Sequence, residues 1–118
     1  DPETVASAIR IGNPANWDGA VKARDESGGT IDMVTDEEII EAYKLLASRE
    51  GVFCEPASAA SLAGVMKLKN DGILNDGDTI VCTITGHGLK DPDCAIKASV
   101  EPLKVPPDIK KILEVMGF

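Results

Sequence analysis

Three short apolar stretches alternate with two helical patterns, and this order constrains the fold more than any other feature of the sequence. Residues 30–34, 52–54 and 79–84 are rich in β-branched and apolar side chains, as strands are. Helical periodicity covers residues 36–49, and a second helix opens with Pro56 near its first turn, where a missing amide hydrogen costs nothing. The order strand, helix, strand, helix, strand predicts an α/β fold, with a parallel β-sheet and flanking helices.

Local signals predict where these helices begin and end. Thr35 is followed three residues later by Glu38, a capping box whose side chains satisfy the first free amides of a helix. Gly51 is expected to end that helix. The start of the second helix carries Ala and Ser on nearly all sides. Because small residues let backbones approach closely, its first turns should pack against a neighbour.

The predicted strand-helix core covers residues 29–90 and has helical segments on both sides. Residues 1–28 are predicted to form a lead-in of two short helices, since Pro2 and Pro14 suit first helical turns. Residues 91–118 are predicted to form carboxyl-terminal helices, the last running from about Asp108 to Met116 and ending at Gly117. The apolar stripe of this last helix is expected to pack against the protein, and it consists of Ile109, Ile112, Leu113 and Met116.

Three strands make only half a sheet, and its edges need covering. A chain of 118 residues also buries only about two-thirds of the surface of its unfolded state. The sequence begins at Asp1 rather than at a methionine. We therefore expect a partial domain of a larger α/β enzyme, with further sequence upstream.

Composition narrows the classes of partner. A net charge of −8 and an aromatic content of 3% disfavour a nucleic-acid partner. Nothing resembles a signal peptide or a transmembrane stretch, so we expect a cytoplasmic protein without a membrane partner. Cys54, Cys82 and Cys94 lack a CxxC spacing and are expected to be reduced and mostly packed. As the only histidine, His87 cannot make a metal site, so no metal is expected.

The carboxyl ends of parallel strands meet at one edge of a sheet, where ligands bind. The segments that follow the three predicted strands are residues 35–36, 55–58 and 85–88. The sequence therefore predicts a cleft in which the Thr-Gly-His-Gly segment 85–88 lies beside Glu55.

Thr85 is the candidate ligand-binding side chain of this cleft. A threonine at a strand end can aim its hydroxyl and nearby amides at a ligand, while Gly86 and Gly88 permit close approach of the backbone. A plain tight turn would use the same residues. His87 could act as a general acid or base, or could orient the loop by hydrogen bonding. Lys90 and Asp91 are expected to pair with a neighbour or to cap the helix that follows.

Glu55 leaves a similar choice open, because it follows a buried strand and precedes Pro56. Its carboxylate could set the charge around a bound ring as part of the cleft wall, or it could cap the helix. Ser58 and Ser61, near the start of that helix, could meet an anion through its free amides. No basic residue is adjacent to them, so a phosphate site there is only a side possibility.

Three stretches of the sequence together resemble the carboxyl-terminal part of the threonine synthases, pyridoxal-phosphate enzymes with the tryptophan-synthase-β-like fold (fold type II). The stretches read TVASAIRIGNPANW, GVFCEPASAAS and TGHGLKDPD, in the family's order and separation, and the likeness runs from about Thr4 to Pro92. TGHGLKDP is the most specific of them, whereas EPASAA is shared more loosely with threonine dehydratases.

The resemblance implies conversion of O-phospho-L-homoserine and water to L-threonine and phosphate, in an enzyme expected to be a homodimer. It implies that Thr85 donates its hydroxyl to the pyridine nitrogen of the cofactor, with Gly86 and Glu55 on the cofactor side of the cleft. The family's Schiff-base lysine, its asparagine beside the ring and its phosphate-binding loop have no counterpart here. The catalytic lysine is therefore expected upstream, in a missing amino-terminal part, and the segment alone is expected to be inactive.

Two other interpretations of the sequence remain open. One is another enzyme of the same fold, such as a threonine dehydratase-like enzyme, because the residues that select the substrate would lie mostly upstream. The other is a non-catalytic α/β module that binds a small ligand or a partner chain.

Overall fold

The computed structural model describes all 118 residues and contains five α-helices. Three short turns of other helical types accompany them: 3₁₀ turns at Ser7–Ile9 and Gly88–Lys90 and a π turn at Leu46–Glu50. The α-helices are α1 (Trp17–Ser27), α2 (Asp36–Leu45), α3 (Pro56–Asn70), α4 (Pro92–Ala98) and α5 (Ile109–Met116).

The predicted boundaries of the two central helices are confirmed. Thr35 Oγ1 accepts a hydrogen bond from the Glu38 amide at 3.2 Å, and the Thr35 amide donates to Glu38 Oε2 at 2.7 Å, which completes the capping box. The last turn is a π turn rather than an α turn, and it ends at Gly51 in the left-handed conformation with φ 67°. α3 begins at Pro56, as predicted.

The core lies between α2 and α3. α2 contributes Ile39, Ala42 and Tyr43, and α3 contributes Ala59 and Ala63. The prediction that the small-residue start of α3 packs against a neighbour is therefore confirmed. Only 11 of the 118 residues are buried, so this core is small for a chain of this length.

The predicted parallel sheet is not found in this chain. Residues 30–34 and 79–84 carry no strand, and the one β-bridge is antiparallel and joins Cys54 to His87. A strand needs the amides and carbonyls of a neighbour, and these two stretches have no such partner here. Their side chains are largely exposed, as Met33 and Val81 show with 80% and 88% of their surface accessible.

The amino-terminal segment differs from the prediction of two short helices. The first is a single 3₁₀ turn at Ser7–Ile9, and α1 begins at Trp17, beyond Pro14. The chain before that turn is fixed instead by Asp36, whose carboxylate accepts from Thr4 Oγ1 at 2.5 Å and from the Val5 amide at 3.0 Å. These bonds hold residues 4–5 in a non-helical conformation at the start of α2.

α5 has the predicted ends but not the predicted packing. Asp108 caps it by accepting from the amides of Lys110 and Lys111 at 2.9 and 3.2 Å, and Gly117 ends it with φ 81°. None of its residues is buried, and none belongs to the hydrophobic core or packs against it. Within this chain, the expected packing of the stripe is therefore wrong.

The cysteines are unpaired, as expected, and Cys54 is buried in the core while Cys82 and Cys94 are half-buried. Burial raises the pKa of the Cys54 and Cys94 thiols above the ordinary cysteine value, which keeps both neutral near pH 7. No helix is both long enough and apolar enough to cross a membrane.

Candidate functional site

The structure brings the Glu55 segment and the Thr85–Gly88 segment side by side. The Glu55 amide donates to the Gly86 carbonyl at 3.0 Å, and the Gly88 amide donates to the Phe53 carbonyl at 3.1 Å. The sequence predicts that a parallel sheet brings these segments together, whereas the structure joins them through an antiparallel bridge and through the start of α3.

Ser58 is the centre of this contact, a role that the sequence pattern does not predict. Its hydroxyl oxygen accepts from the amides of Thr85 and Gly86, each at 2.9 Å, and lies 3.0 Å from Thr85 Oγ1. The side chain is 1% exposed. The sequence signal for this role is weak. Ser58 lies in the first turn of a helix rich in small residues, which follows the Glu55 segment and contacts the Thr85–Gly88 segment.

Glu55 lies beneath the loop rather than in the open cleft. Its residue is 3% exposed, and its carboxylate pairs with Lys90 Nζ at 2.8 and 3.0 Å. It makes no side-chain cap to α3, so the capping alternative is wrong. A Cβ placed on Gly86 would clash with this carboxylate, so the loop passes Glu55 closely only because residue 86 is glycine.

The remaining polar residues of the loop hold its shape. His87 Nδ1 accepts from the Leu89 amide at 3.1 Å, and its ring meets that of Phe53 edge-on with centroids 5.5 Å apart. This is the loop-orienting role considered for His87. Lys90 pairs with Glu55 and Asp91 caps α4 through the Cys94 amide at 3.2 Å, which confirms the pairing and capping expected of these two residues.

An open cleft of about 530 Å³ lies against this loop. Thr85 is exposed and lines the cleft, and its amide is held by Ser58. No lysine lines the cleft, whose wall consists of Gly51, Val52, Phe53, Ile84, Thr85, Gly86 and His87. The arrangement offers a ligand one neutral hydroxyl beside apolar surface.

Comparison with known proteins gives a consistent result. Residues 1–86 match the family described as pyridoxal-phosphate dependent enzyme. The threonine synthase of Synechocystis sp. is 56% identical over 99% of this chain and 31% of its own length. The threonine synthases of Methanocaldococcus jannaschii and Mycobacterium leprae are 55% and 53% identical, over 98% and 99% of this chain.

The chain therefore spans about a third of the length of these curated relatives, between 29% and 32%. The family match covers residues 1–86, which include both the start of α3 and Thr85. On this match the chain belongs to the family of pyridoxal-phosphate dependent enzymes.

Proposed function

We propose that this chain is the carboxyl-terminal part of a threonine synthase and forms the ring-nitrogen side of its pyridoxal-phosphate cleft. The proposed reaction converts O-phospho-L-homoserine and water to L-threonine and phosphate. The observation that carries the proposal is that proteins named threonine synthase align with 98–99% of this chain at 53–56% identity.

The site residues fit the proposed cofactor. A pyridine nitrogen accepts hydrogen bonds, and the exposed hydroxyl of Thr85 can donate one. The apolar side chains of Val52, Phe53 and Ile84 line the same cleft and suit the faces and edges of a flat ring. Thr85 is therefore the residue that we propose to meet the ring nitrogen.

The proposed chemistry depends on the neutrality of the Thr85 hydroxyl. Pyridoxal phosphate, when bound, supplies an electron sink for carbanions, and the protein sets the strength of that sink. A carboxylate in place of Thr85 would keep the ring nitrogen protonated. A neutral hydroxyl donor leaves it largely unprotonated, which favours elimination and replacement at the β and γ carbons.

Gly86 and Glu55 have supporting roles in this proposal. Gly86 allows the loop to lie directly on the Glu55 carboxylate, and the ion pair with Lys90 neutralises that carboxylate. We infer that Glu55 contributes to the cofactor side of the cleft by holding the loop that carries Thr85.

The Schiff-base lysine and the phosphate-binding loop are proposed to lie in the other two-thirds of the enzyme. Lys90, the lysine of the candidate loop, is engaged by Glu55. We propose that residues 30–34 and 79–84 become strands of a parallel sheet whose other strands lie in that part. The homodimer and the cytoplasmic location stay predictions, to be tested by light scattering and by cell fractionation.

The test is an assay of the full-length protein that contains this chain, purified with pyridoxal phosphate. With O-phospho-L-homoserine we expect phosphate and L-threonine in equal amounts. Release of 2-oxobutanoate and ammonia from added L-threonine, without phosphate release from O-phospho-L-homoserine, would support a dehydratase instead.

A further inference from the structure

We propose that Ser58 is a positioning residue that donates to the Thr85 hydroxyl oxygen and so leaves the Thr85 proton free to be donated toward the cleft. This inference rests on the proposed contact between Thr85 and the ring nitrogen of pyridoxal phosphate. It assigns a role to a buried residue outside the cleft wall, and it explains why Thr85 is the donor in that contact.

The hydrogen-bonding capacity of Ser58 carries the inference. A serine hydroxyl has one proton to donate and two lone pairs to accept with. The amides of Thr85 and Gly86, each 2.9 Å from Ser58 Oγ, occupy both lone pairs. Ser58 therefore has no acceptor capacity left for the proton of Thr85.

The contact between the two hydroxyls must then run from Ser58 to Thr85. Their oxygens are 3.0 Å apart, which is within hydrogen-bond range. The alternative acceptor for the Ser58 proton, the Gly86 carbonyl, is farther away at 3.4 Å and already accepts from the Glu55 amide at 3.0 Å. Ser58 thus donates to Thr85 Oγ1.

The consequence concerns the second bond of Thr85. Thr85 Oγ1 accepts from Ser58, so the proton of Thr85 has no acceptor within the chain, and Thr85 lines the cleft. A ligand atom there is offered a donor. A ring nitrogen with a lone pair satisfies that donor, whereas a protonated one brings a second proton to a contact that already supplies one.

The fixed backbone adds to this effect. Ser58 is 1% exposed, and it belongs to α3, the helix whose next residues enter the core. The orientation of the Thr85 hydroxyl is therefore set by a buried residue of α3 rather than by the exposed loop.

The test uses the full-length enzyme loaded with pyridoxal phosphate that carries ¹⁵N in the ring. The titration of the ring-nitrogen signal is followed by NMR in the wild type, Ser58→Ala, Thr85→Val and Ser61→Ala. Ser61→Ala is the matched control, because Ser61 Oγ donates to the Ser58 carbonyl within the helix at 2.9 Å and does not touch the loop.

We expect Ser58→Ala and Thr85→Val each to raise the titration midpoint of the ring nitrogen by roughly half a unit or more. In the first variant both lone pairs of Thr85 Oγ1 become available to a protonated ring, and in the second the donor is gone. Ser61→Ala should leave the midpoint unchanged. Loss of a structural bond alone would weaken cofactor binding without this directed shift.

The two proposals fail in different ways. If Thr85→Val raises the midpoint and Ser58→Ala does not, Thr85 meets the ring nitrogen but Ser58 does not orient it, and this inference is overturned. If Thr85→Val leaves the midpoint unchanged, the proposed contact itself is absent and both fall.

A measurement without any variant covers the case in which Ser58→Ala does not fold. Neutron diffraction from crystals of the deuterium-exchanged wild-type enzyme locates the deuterium between the two hydroxyl oxygens. Deuterium bonded to Ser58 Oγ and directed at Thr85 supports the inference. Deuterium bonded to Thr85 Oγ1 and directed at Ser58 overturns it.

Discussion

At the scale of single residues, the exposed hydroxyl of Thr85 depends on side chains that never reach the cleft. Ser58 binds its amide and that of Gly86, and Glu55 with Lys90 supports the loop from beneath. Each of these groups is satisfied by the others, and no buried side-chain nitrogen or oxygen lacks a partner. The candidate site is therefore a polar network whose buried groups are satisfied, with the exposed Thr85 and His87 at the cleft.

The candidacy of Thr85 could be predicted from the sequence because it depends on local pattern, a hydroxyl at a strand end followed by glycines. The role of Ser58 could not. It depends on how α3 is rotated against a loop 27 residues away, and such rotation follows from packing rather than from local sequence. The position of Glu55 beneath the loop, paired with Lys90 35 residues away, is of the same kind.

The Thr85→Asp variant tests the neutral donor. A carboxylate at this position would hold a proton on the ring nitrogen and change the partition between products. We expect the rate of threonine formation by the full-length enzyme to fall by about tenfold or more, because the variant loses a neutral hydrogen-bond donor and places a negative charge beside the ring nitrogen. The cofactor absorbance spectrum and the product ratio measure it. Thr85→Ser keeps the hydroxyl and serves as the control, and an unchanged spectrum in Thr85→Asp would contradict the assignment.

Gly86→Ala tests the close passage of the loop over Glu55. The added Cβ would clash with the carboxylate, so we expect a loss of about 1–3 kcal/mol in the free energy of unfolding, as in other overpacked sites. Urea unfolding of the full-length enzyme measures it.

Gly64→Ala is the matched control for that substitution. A Cβ at Gly64 meets nothing within 4 Å, and alanine is preferred to glycine inside a helix by about 0.5–1 kcal/mol. The stability of this variant should stay equal or rise. Equal losses in the two variants would show that the loop tolerates a side chain at residue 86.

At the scale of elements, helices and strands differ in how much of their information is local. α2 and α3 were predictable because capping residues, proline and glycine mark their ends within the sequence itself. The pattern at residues 30–34 and 79–84 indicates a β-strand propensity and which side chains would share a face. The hydrogen-bond ladder of a sheet also requires a neighbouring strand. The antiparallel bridge at Cys54 and His87 had no counterpart in the pattern.

Ile39→Ala tests the contact between α2 and α3. Ile39 is 2% exposed and is the largest fully buried side chain, so its truncation should cost about 2–5 kcal/mol. In a chain with so small a core we expect most of the far-ultraviolet helical signal to be lost at a urea concentration that the wild type withstands. Ile73→Ala, at a position 62% exposed, should change stability by no more than about 0.5 kcal/mol. A loss of equal size in both variants would argue against the α2–α3 core.

At the scale of the whole molecule, the chain is more extended than a compact domain of its length. Its radius of gyration is 18.6 Å and its extents are 63 × 37 × 19 Å. A compact domain of this size has a radius of gyration of about 13.5 Å.

The chain by itself should not form a covalent adduct with pyridoxal phosphate. The lysine of the candidate loop is held by Glu55, and none lines the cleft. After mixing with the cofactor and reduction by borohydride, mass spectrometry should find no single lysine modified in preference to the others. The full-length enzyme, treated in the same way, should carry one modified lysine outside this chain. Selective modification of a lysine within residues 1–118 would contradict the proposed division of the site.

Residues 79–84 have no β-sheet partner in this chain, and this suggests an order for the folding steps of the full-length protein. The hydrogen bonds between α3 and the Thr-Gly turn are formed, although residues 79–84, which lead into that turn, lack such a partner. We expect these hydrogen bonds to form early during folding, and the vitamin-derived aldehyde to bind only after the rest of the full-length protein has folded. Stable binding of the coenzyme would then indicate that synthesis and folding of the full-length protein are complete.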